Sequence, residues 1–213
     1  MVEAVIWDFG GVLTTSPFEA FNRYETEKGL PRDFIRGINA ANPDTNAWAL
    51  FERSECTLED FDRLFAEESH AKGNRVPGRD IIELLSGDIR PEMVTALKRC
   101  KERVKVGCIT NNVSAGEGAG MARSTGKAAA VQEIMALFDH VIESSKAGIR
   151  KPDPRIYEMA GEALGVSLAS SVYLDDLGIN LKPARALGMT TIKVVTPAQA
   201  LKDLEAAVGF PVS

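Results

Sequence analysis

Residues 4–16 read AVIWDFGGVLTTS. Ala4 to Trp7 form an unbroken apolar run, and Asp8, Phe9 and the glycine pair Gly10–Gly11 follow it at once. A short apolar run closed by a glycine turn is the pattern of a strand buried on both faces of a parallel sheet. Further along, Val104–Ile109, Val172–Leu174 and Thr190–Val195 repeat the pattern, with His140–Glu143 as a weaker fifth run. Helical stretches separate them. Pro91–Arg103 opens on a proline suited to a first turn, and Pro154–Leu164 follows Asp153 as a cap. Asn180–Leu187 ends at Gly188, and Pro197–Val208 ends at Gly209. Strand and helix therefore alternate from Val104 onward, which predicts an α/β fold with a doubly wound parallel sheet.

Residues 17–86 break the alternation. Their apolar positions fall at helical spacing: Phe18, Phe21 and Tyr24; Phe34 and Ile38; Trp48 and Phe51; Phe61, Leu64 and Phe65. Thr57 followed by Asp60 reads as an N-cap with an acidic first turn. The expectation is an all-helical module at 17–86, inserted into a discontinuous α/β core made of 1–16 and 87–213. Its aromatic rings would either merely fill its own core or, for a few of them, line a substrate cavity.

The chain has 213 residues, 45% hydrophobic and 26% charged, which is enough to bury a core without disulfides. Its 25 Lys+Arg against 30 Asp+Glu give a net charge of -5, which argues against a nucleic-acid or anionic-membrane binder. No apolar run approaches the ~20 residues of a bilayer span, and the first such run, Val2–Trp7, is interrupted by Glu3 and lacks the basic n-region and cleavage site of a secretory signal. Three cysteines without CxxC spacing read as free thiols of a cytoplasmic protein. Monomer and homodimer both stay open.

In an open parallel sheet, ligands bind beyond the carboxyl ends of the strands. Asp8 follows the first predicted strand, Thr110, Asn111 and Asn112 the second, and Asp175 and Asp176 the run ending at Leu174. Lys151 lies in AGIRKPDP, residues 147–154. Acids, an amine and a hydroxyl meeting in one crevice suit phosphoryl transfer, where positioning and charge neutralisation do most of the work. Asp8 would attack phosphorus and form an aspartyl-phosphate. Mg²⁺ would be held by the carboxylates of Asp8 and Asp176 and by the Gly10 carbonyl. Lys151 would hold both Asp8 and the phosphate, with Thr110 and backbone N–H groups cradling the oxygens. Lys146 is the rival for the lysine role, and Pro152 after Lys151 favours the latter.

These four pieces, in this order, resemble the four motifs of the haloacid dehalogenase-like (HAD) hydrolases, with the helical insert where that superfamily's class-1 cap lies. GIRKPDPRIY (148–157) and VYLDDLGINLKPARALGMTTIKV (172–194) are very similar to the group that includes the N-terminal phosphatase domain of soluble epoxide hydrolases. The resemblance implies a Rossmann-like core, Asp8 as nucleophile, Asp176 as a direct Mg²⁺ ligand, and Asp175 and Asn180 as supporting residues. It also implies Thr110 and Asn111 on the phosphate, Lys151 as the motif lysine, and a small phosphorylated metabolite as substrate.

One position departs from the pattern. Most HAD phosphatases carry a second Asp two residues after the nucleophile as proton donor, and here that position is Gly10. A general acid contributes roughly 10²–10⁴-fold, so its loss matters. The substrate would have a good leaving group, or the cap would supply an acid from among Glu19, Asp44, Glu52 and Glu55, or the protein would be a catalytically weak binder. A 2-haloacid dehalogenase is the further alternative, and Gly10 and the Asp175–Asp176 pair fit it poorly. The GEGAG at 116–120 reads as a loop without the ending of a nucleotide-binding motif, and His70 and His140 take no site role.

Overall fold

The computed structural model describes residues 1–113 and 125–213. The GEGAG segment lies outside the described residues. Five strands, β1 (Ala4–Trp7), β2 (Lys105–Thr110), β3 (His140–Glu143), β4 (Ser171–Asp175) and β5 (Thr190–Lys193), form one sheet in the order β3-β2-β1-β4-β5. Every pairing is parallel. The helices that follow β1 in sequence are α1 (Pro17–Lys28), α2 (Phe34–Ala40), α3 (Ala47–Glu52), α4 (Leu58–Ala71), α5 (Gly78–Glu83) and α6 (Pro91–Lys101). Those after β2 are α7 (Thr125–Met135), α8 (Ser144–Ala147), α9 (Pro154–Leu164), α10 (Gly178–Ala186) and α11 (Pro197–Val208).

The strand side chains alternate between two separate cores. Val5, Trp7, Val106, Cys108, Val172 and Leu174 pack with Met93 and Leu97 of α6 and Leu204 of α11. Ala4, Ile6, Ile109 and Tyr173 point the other way, onto Ile156 and Tyr157 of α9 and Leu181 of α10. Covering both faces is why these strands read as continuous apolar runs rather than as alternating ones. α9 and α11 have the expected bounds. β2 starts one residue later than expected and extends to Thr110, β5 stops at Lys193, and α10 begins at Gly178 because Leu177 serves as its N-cap. No helix of the described residues is long and apolar enough to cross a membrane.

Helices α1 to α5 enclose a third core of their own, in which Phe51 stacks on Phe61 at 4.7 Å between ring centroids and Phe61 meets Phe65 at 5.5 Å. Thr57 and Asp60 form a reciprocal capping box at the start of α4, which satisfies two otherwise orphaned N–H groups. Glu25 is buried in α1 and accepts from the N–H groups of Asp33 and Ile35, fixing the entry to α2. Cys56, Cys100 and Cys108 are all free, and burial pushes the Cys100 thiol up to about 12.

Candidate active site

Strand register brings the candidate residues together. Trp7 is level with Cys108 of β2 and with Leu174 of β4, so the next residue of β1, Asp8, emerges beside the ends of both neighbours. The Asp8 N–H donates to the Leu174 carbonyl at 2.8 Å, which extends the ladder by one residue. β1 is also where the chain order switches sides of the sheet, and such switch points open a crevice at the carboxyl edge.

Lys151 reaches this crevice from the loop between α8 and α9. Its Nζ lies 2.7 Å from Asp8 Oδ1 and 3.0 Å from Asp175 Oδ2, with only 1% of the residue exposed. Burial works to lower its pKa, but the adjacent Asp175 and Asp8 carboxylates outweigh that and raise it, so the ammonium stays charged. Lys146, the rival, is exposed and pairs with Glu143 instead. Asp8 Oδ1 also accepts from the Phe9 N–H at 2.7 Å.

Asp175 is fully buried, and its oxygens are occupied. They accept from Lys151 Nζ, the Tyr173 hydroxyl at 2.5 Å, the Leu177 N–H at 2.8 Å and both reaches of Asn180 Nδ2 at 3.1 Å. Asn180 is pinned in turn by the Tyr157 hydroxyl on its carbonyl. One oxygen from each of Asp8, Asp175 and Asp176 lies within 4.8 Å of the others, close enough for a cation to bridge. The four donors on Asp175 leave it the poorest ligand of the three, so Asp8 and Asp176 are the pair able to hold a metal.

Asp176 approaches Asp8 because Gly11 has no side chain. Gly11 has φ +75°, and a Cβ there would stand 2.3 Å from Asp176 Oδ2. Gly10, expected to share in the bend, lies outside the left-handed region, and a Cβ on it would meet nothing within 4 Å. The bend belongs to Gly11 alone. The Ser16 hydroxyl steadies Asp176 by donating to Oδ2 at 3.1 Å, and Arg90 holds the turn by donating to the Gly11 carbonyl at 2.8 Å.

Thr110, 2% exposed, closes β2 and lines the crevice. The Asn111 side chain differs from the expected phosphate contact. Its Oδ1 accepts from the Lys151 N–H at 2.8 Å, and its Nδ2 donates to the Lys151 carbonyl at 3.0 Å. Both ends of the amide therefore clamp the lysine loop, which leaves the main chain as what Asn111 can offer an anion. Asn112 is buried in bonds to Glu143 and Ser145 and takes no part.

Facing these residues across a cavity of about 950 Å³ are Pro17, Phe18, Phe21, Arg36, Trp48 and Glu52 of the helical insert. Of the four acids expected there, Glu19 is exposed and is not part of the lining. Asp44 and Glu55 line the cavity but are exposed, and the Arg53 side chain holds the Glu55 carboxyl below its ordinary range. Glu52 is buried, 2.7 Å from Arg150 Nε.

Sequence reasoning missed Ser16, Arg90, Tyr173 and Arg150. Tyr173 was findable, because a residue two before Asp175 on a strand shares its face. Ser16 and Arg90 carry no such signal, since only folding of the loop after β1 brings them in.

Fold and site together define a Rossmann-like α/β protein with a helical insert after its first strand and a carboxylate cluster at the sheet's carboxyl edge. The family model for haloacid dehalogenase-like hydrolases matches residues 2–188, and the chain belongs to that hydrolase family. It is 34% identical over 217 residues to mouse acyl-CoA dehydrogenase family member 10, covering 98% of this chain and 19% of that protein. It is 31% identical over 219 residues to mouse bifunctional epoxide hydrolase 2, covering 96% and 39%. The chain thus spans well under half of either relative. A sesquiterpene phosphatase from Aspergillus oryzae is 26% identical over 97% of both chains. Among solved structures, a HAD family enzyme from Bacteroides thetaiotaomicron in complex with magnesium and inorganic phosphate superposes with TM-score 0.57 at 19% identity, covering 91% and 94%. L-2-haloacid dehalogenase from Xanthobacter autotrophicus gives 0.62 at 16%, covering 100% and 85%. At these identities the two structures share the fold.

Proposed function

We propose that the protein is a Mg²⁺-dependent phosphatase that hydrolyses a small phosphorylated metabolite through an aspartyl-phosphate on Asp8, with residues 17–86 acting as a cap over the site. The observation that carries this reading is the contact of Lys151 Nζ with Asp8 beside the three-carboxylate cluster. The Aspergillus phosphatase homologue supports it, as does the magnesium and phosphate complex of the Bacteroides enzyme.

The residues present fit a divalent cation. Three carboxylates face one ammonium, and burial together with the Asp175 charge pushes Asp176 up to about 6 against the Ser16 hydrogen bond. Asp8 is likewise raised, by burial and by Asp175 and Asp176, with Lys151 opposing. That excess of negative charge calls for a hard cation, which Asp8, Asp176 and the Gly10 carbonyl would hold. When bound, it would neutralise charge on the transferring phosphoryl group.

The protein groups divide the remaining work. Asp8 Oδ2, the oxygen that carries neither the Phe9 nor the Lys151 contact, is the attacking atom. Lys151 neutralises the phosphate and keeps Asp8 ionised. Thr110 supplies a hydroxyl to a phosphate oxygen, and Asn111 positions Lys151. Asp175 and Asn180 keep the ammonium pointed at Asp8. Phe18, Phe21 and Trp48 pack the organic part of the substrate and exclude water.

The test is phosphate release from a panel of phosphomonoesters with and without Mg²⁺. Metal-dependent turnover that disappears in Asp8→Asn is expected. Halide release from a 2-haloacid in the presence of a chelator, without phosphate release from any ester, would replace this reading with dehalogenation.

A further inference from the structure

We infer that Glu52, on α3 of the helical insert, is the proton donor to the leaving group, doing from the cap side what no side chain at position 10 can do. This rests on the phosphatase reading above.

The space beside Gly10 is open, because a Cβ built there touches nothing within 4 Å. A donor must therefore come from elsewhere on the cavity wall. Among the acids that line it, Asp8 and Asp176 are assigned to the nucleophile and the metal. Glu55 is bound by Arg53 through two hydrogen bonds, and Asp153 is clamped by Arg155. Asp44 stands in solvent. Glu52 is the buried carboxyl among these remaining acids, with 5% of the residue exposed.

Its neighbours tie it to the reacting centre. Asn111 Nδ2 lies 3.4 Å from Glu52 Oε2 and also holds the Lys151 carbonyl, while Arg150 is the residue next to Lys151. The carboxyl thus sits on the two loops that deliver Lys151. Arg150 Nε is 2.7 Å from Oε2, yet its N–H is not aimed along that contact and finds no hydrogen-bond partner among the described residues. Arg150 therefore acts on Glu52 as a nearby charge rather than as an aligned donor, and can stabilise the carboxylate once the proton has left. Burial pushes the Glu52 carboxyl up, with Arg150 opposing. That direction favours the protonated carboxyl that a donor requires.

The steps balance. An Asp8 oxygen bonds to phosphorus as the bond from phosphorus to the ester oxygen breaks, and the Glu52 proton passes to the departing alkoxide to give the alcohol. The Glu52 carboxylate then takes a proton from water as the water oxygen bonds to phosphorus and the bond from phosphorus to Asp8 breaks. Inorganic phosphate leaves, with the Asp8 carboxylate and the Glu52 carboxyl restored.

Leaving-group chemistry separates this role from a structural one. A p-nitrophenyl ester departs without a proton, whereas a hexyl ester needs one. In Glu52→Gln, kcat/KM for hexyl phosphate is expected to fall about 10²–10⁴-fold, while that for p-nitrophenyl phosphate falls by less than about tenfold, the smaller loss a substrate with no need of the proton should show. Adding Gly10→Asp to that variant should recover the alkyl ester. Equal losses on both esters, or undiminished alkyl turnover, overturn the proposal. If Glu52→Gln does not fold, a series of esters on the unaltered protein decides. A shallow dependence of log(kcat/KM) on leaving-group pKa supports the donor, and a steep one overturns it. Failure of the unaltered protein to hydrolyse p-nitrophenyl phosphate with Mg²⁺ would instead strike the phosphatase reading itself.

Discussion

On the sheet side of the cavity, polar groups are held by one another: Lys151 by Asp8 and Asp175, Asp175 by Tyr173, Leu177 and Asn180, Asp176 by Ser16. On the helical side, the wall is rings, with Phe18 edge-on to Phe21 at 5.8 Å, Arg36 lying over Phe18 at 4.3 Å and Trp48 against Phe61. The sheet side has few degrees of freedom, because each buried charge is costly unless its partners stay in place. The helical side can exchange one ring for another at the cost of packing area. Under the reading proposed above, the nucleophile, lysine and carboxylates of the first wall serve every substrate, while the second wall supplies the Glu52 proton and, through its rings, the choice among substrates.

The contrast can be broken from either side. The largest effect is expected from Asp8→Asn, which should cost on the order of 10⁴–10⁶-fold in kcat, as removal of a nucleophile does, measured as steady-state phosphate release. Lys151→Met should lose activity and also about 3–5 kcal/mol of stability, because Asp8 and Asp175 would keep their buried charge without its partner. Urea unfolding reads that loss, and an undiminished midpoint would show that the network is not cooperative. Gly11→Ala puts a methyl where Asp176 stands. It should weaken Mg²⁺ binding by about 10–100-fold, the usual cost of disturbing what orients a ligand, as followed by calorimetric titration. Phe18→Ala should raise KM by about 10–100-fold with kcat nearly unchanged, since a buried ring contributes about 1.5–3 kcal/mol of apolar contact. An equal fall in kcat would mean that the rings of the helical wall, and not Glu52 alone, share in the chemistry. Thr57→Ala removes half of the capping box of α4, at a residue that does not line the cavity, and should cost only about 1 kcal/mol by thermal melting.

Much of the sheet side was legible in the sequence because strand ends announce themselves. Asp8, Thr110 and Asp175 each close or follow an apolar run, and parallel register then leaves them little choice but to meet. β3 was readable even though it is short and only Ile142 of its four residues is buried. The partner of the Asn111 side chain was not legible, since a single sequence does not say whether an amide faces a ligand or a neighbouring loop. The helical side was legible as helices and as a module with its own apolar core. Which of its acids is buried on the cavity wall was not legible, because Glu52 and Glu55 differ by three residues and otherwise read alike.

By itself, the sequence determined the alternation of strands and helices, the insertion after the first strand, and the set of charged residues at the carboxyl edge. Period, caps and turns are local properties, and local interactions enforce them. Tertiary structure alone decided that Gly11 rather than Gly10 makes room for Asp176. It also decided that Asn111 serves Lys151, and that Glu52 is the insert's buried carboxyl on the cavity wall. Each of those depends on distances between segments far apart in the chain, where packing and desolvation set which groups touch.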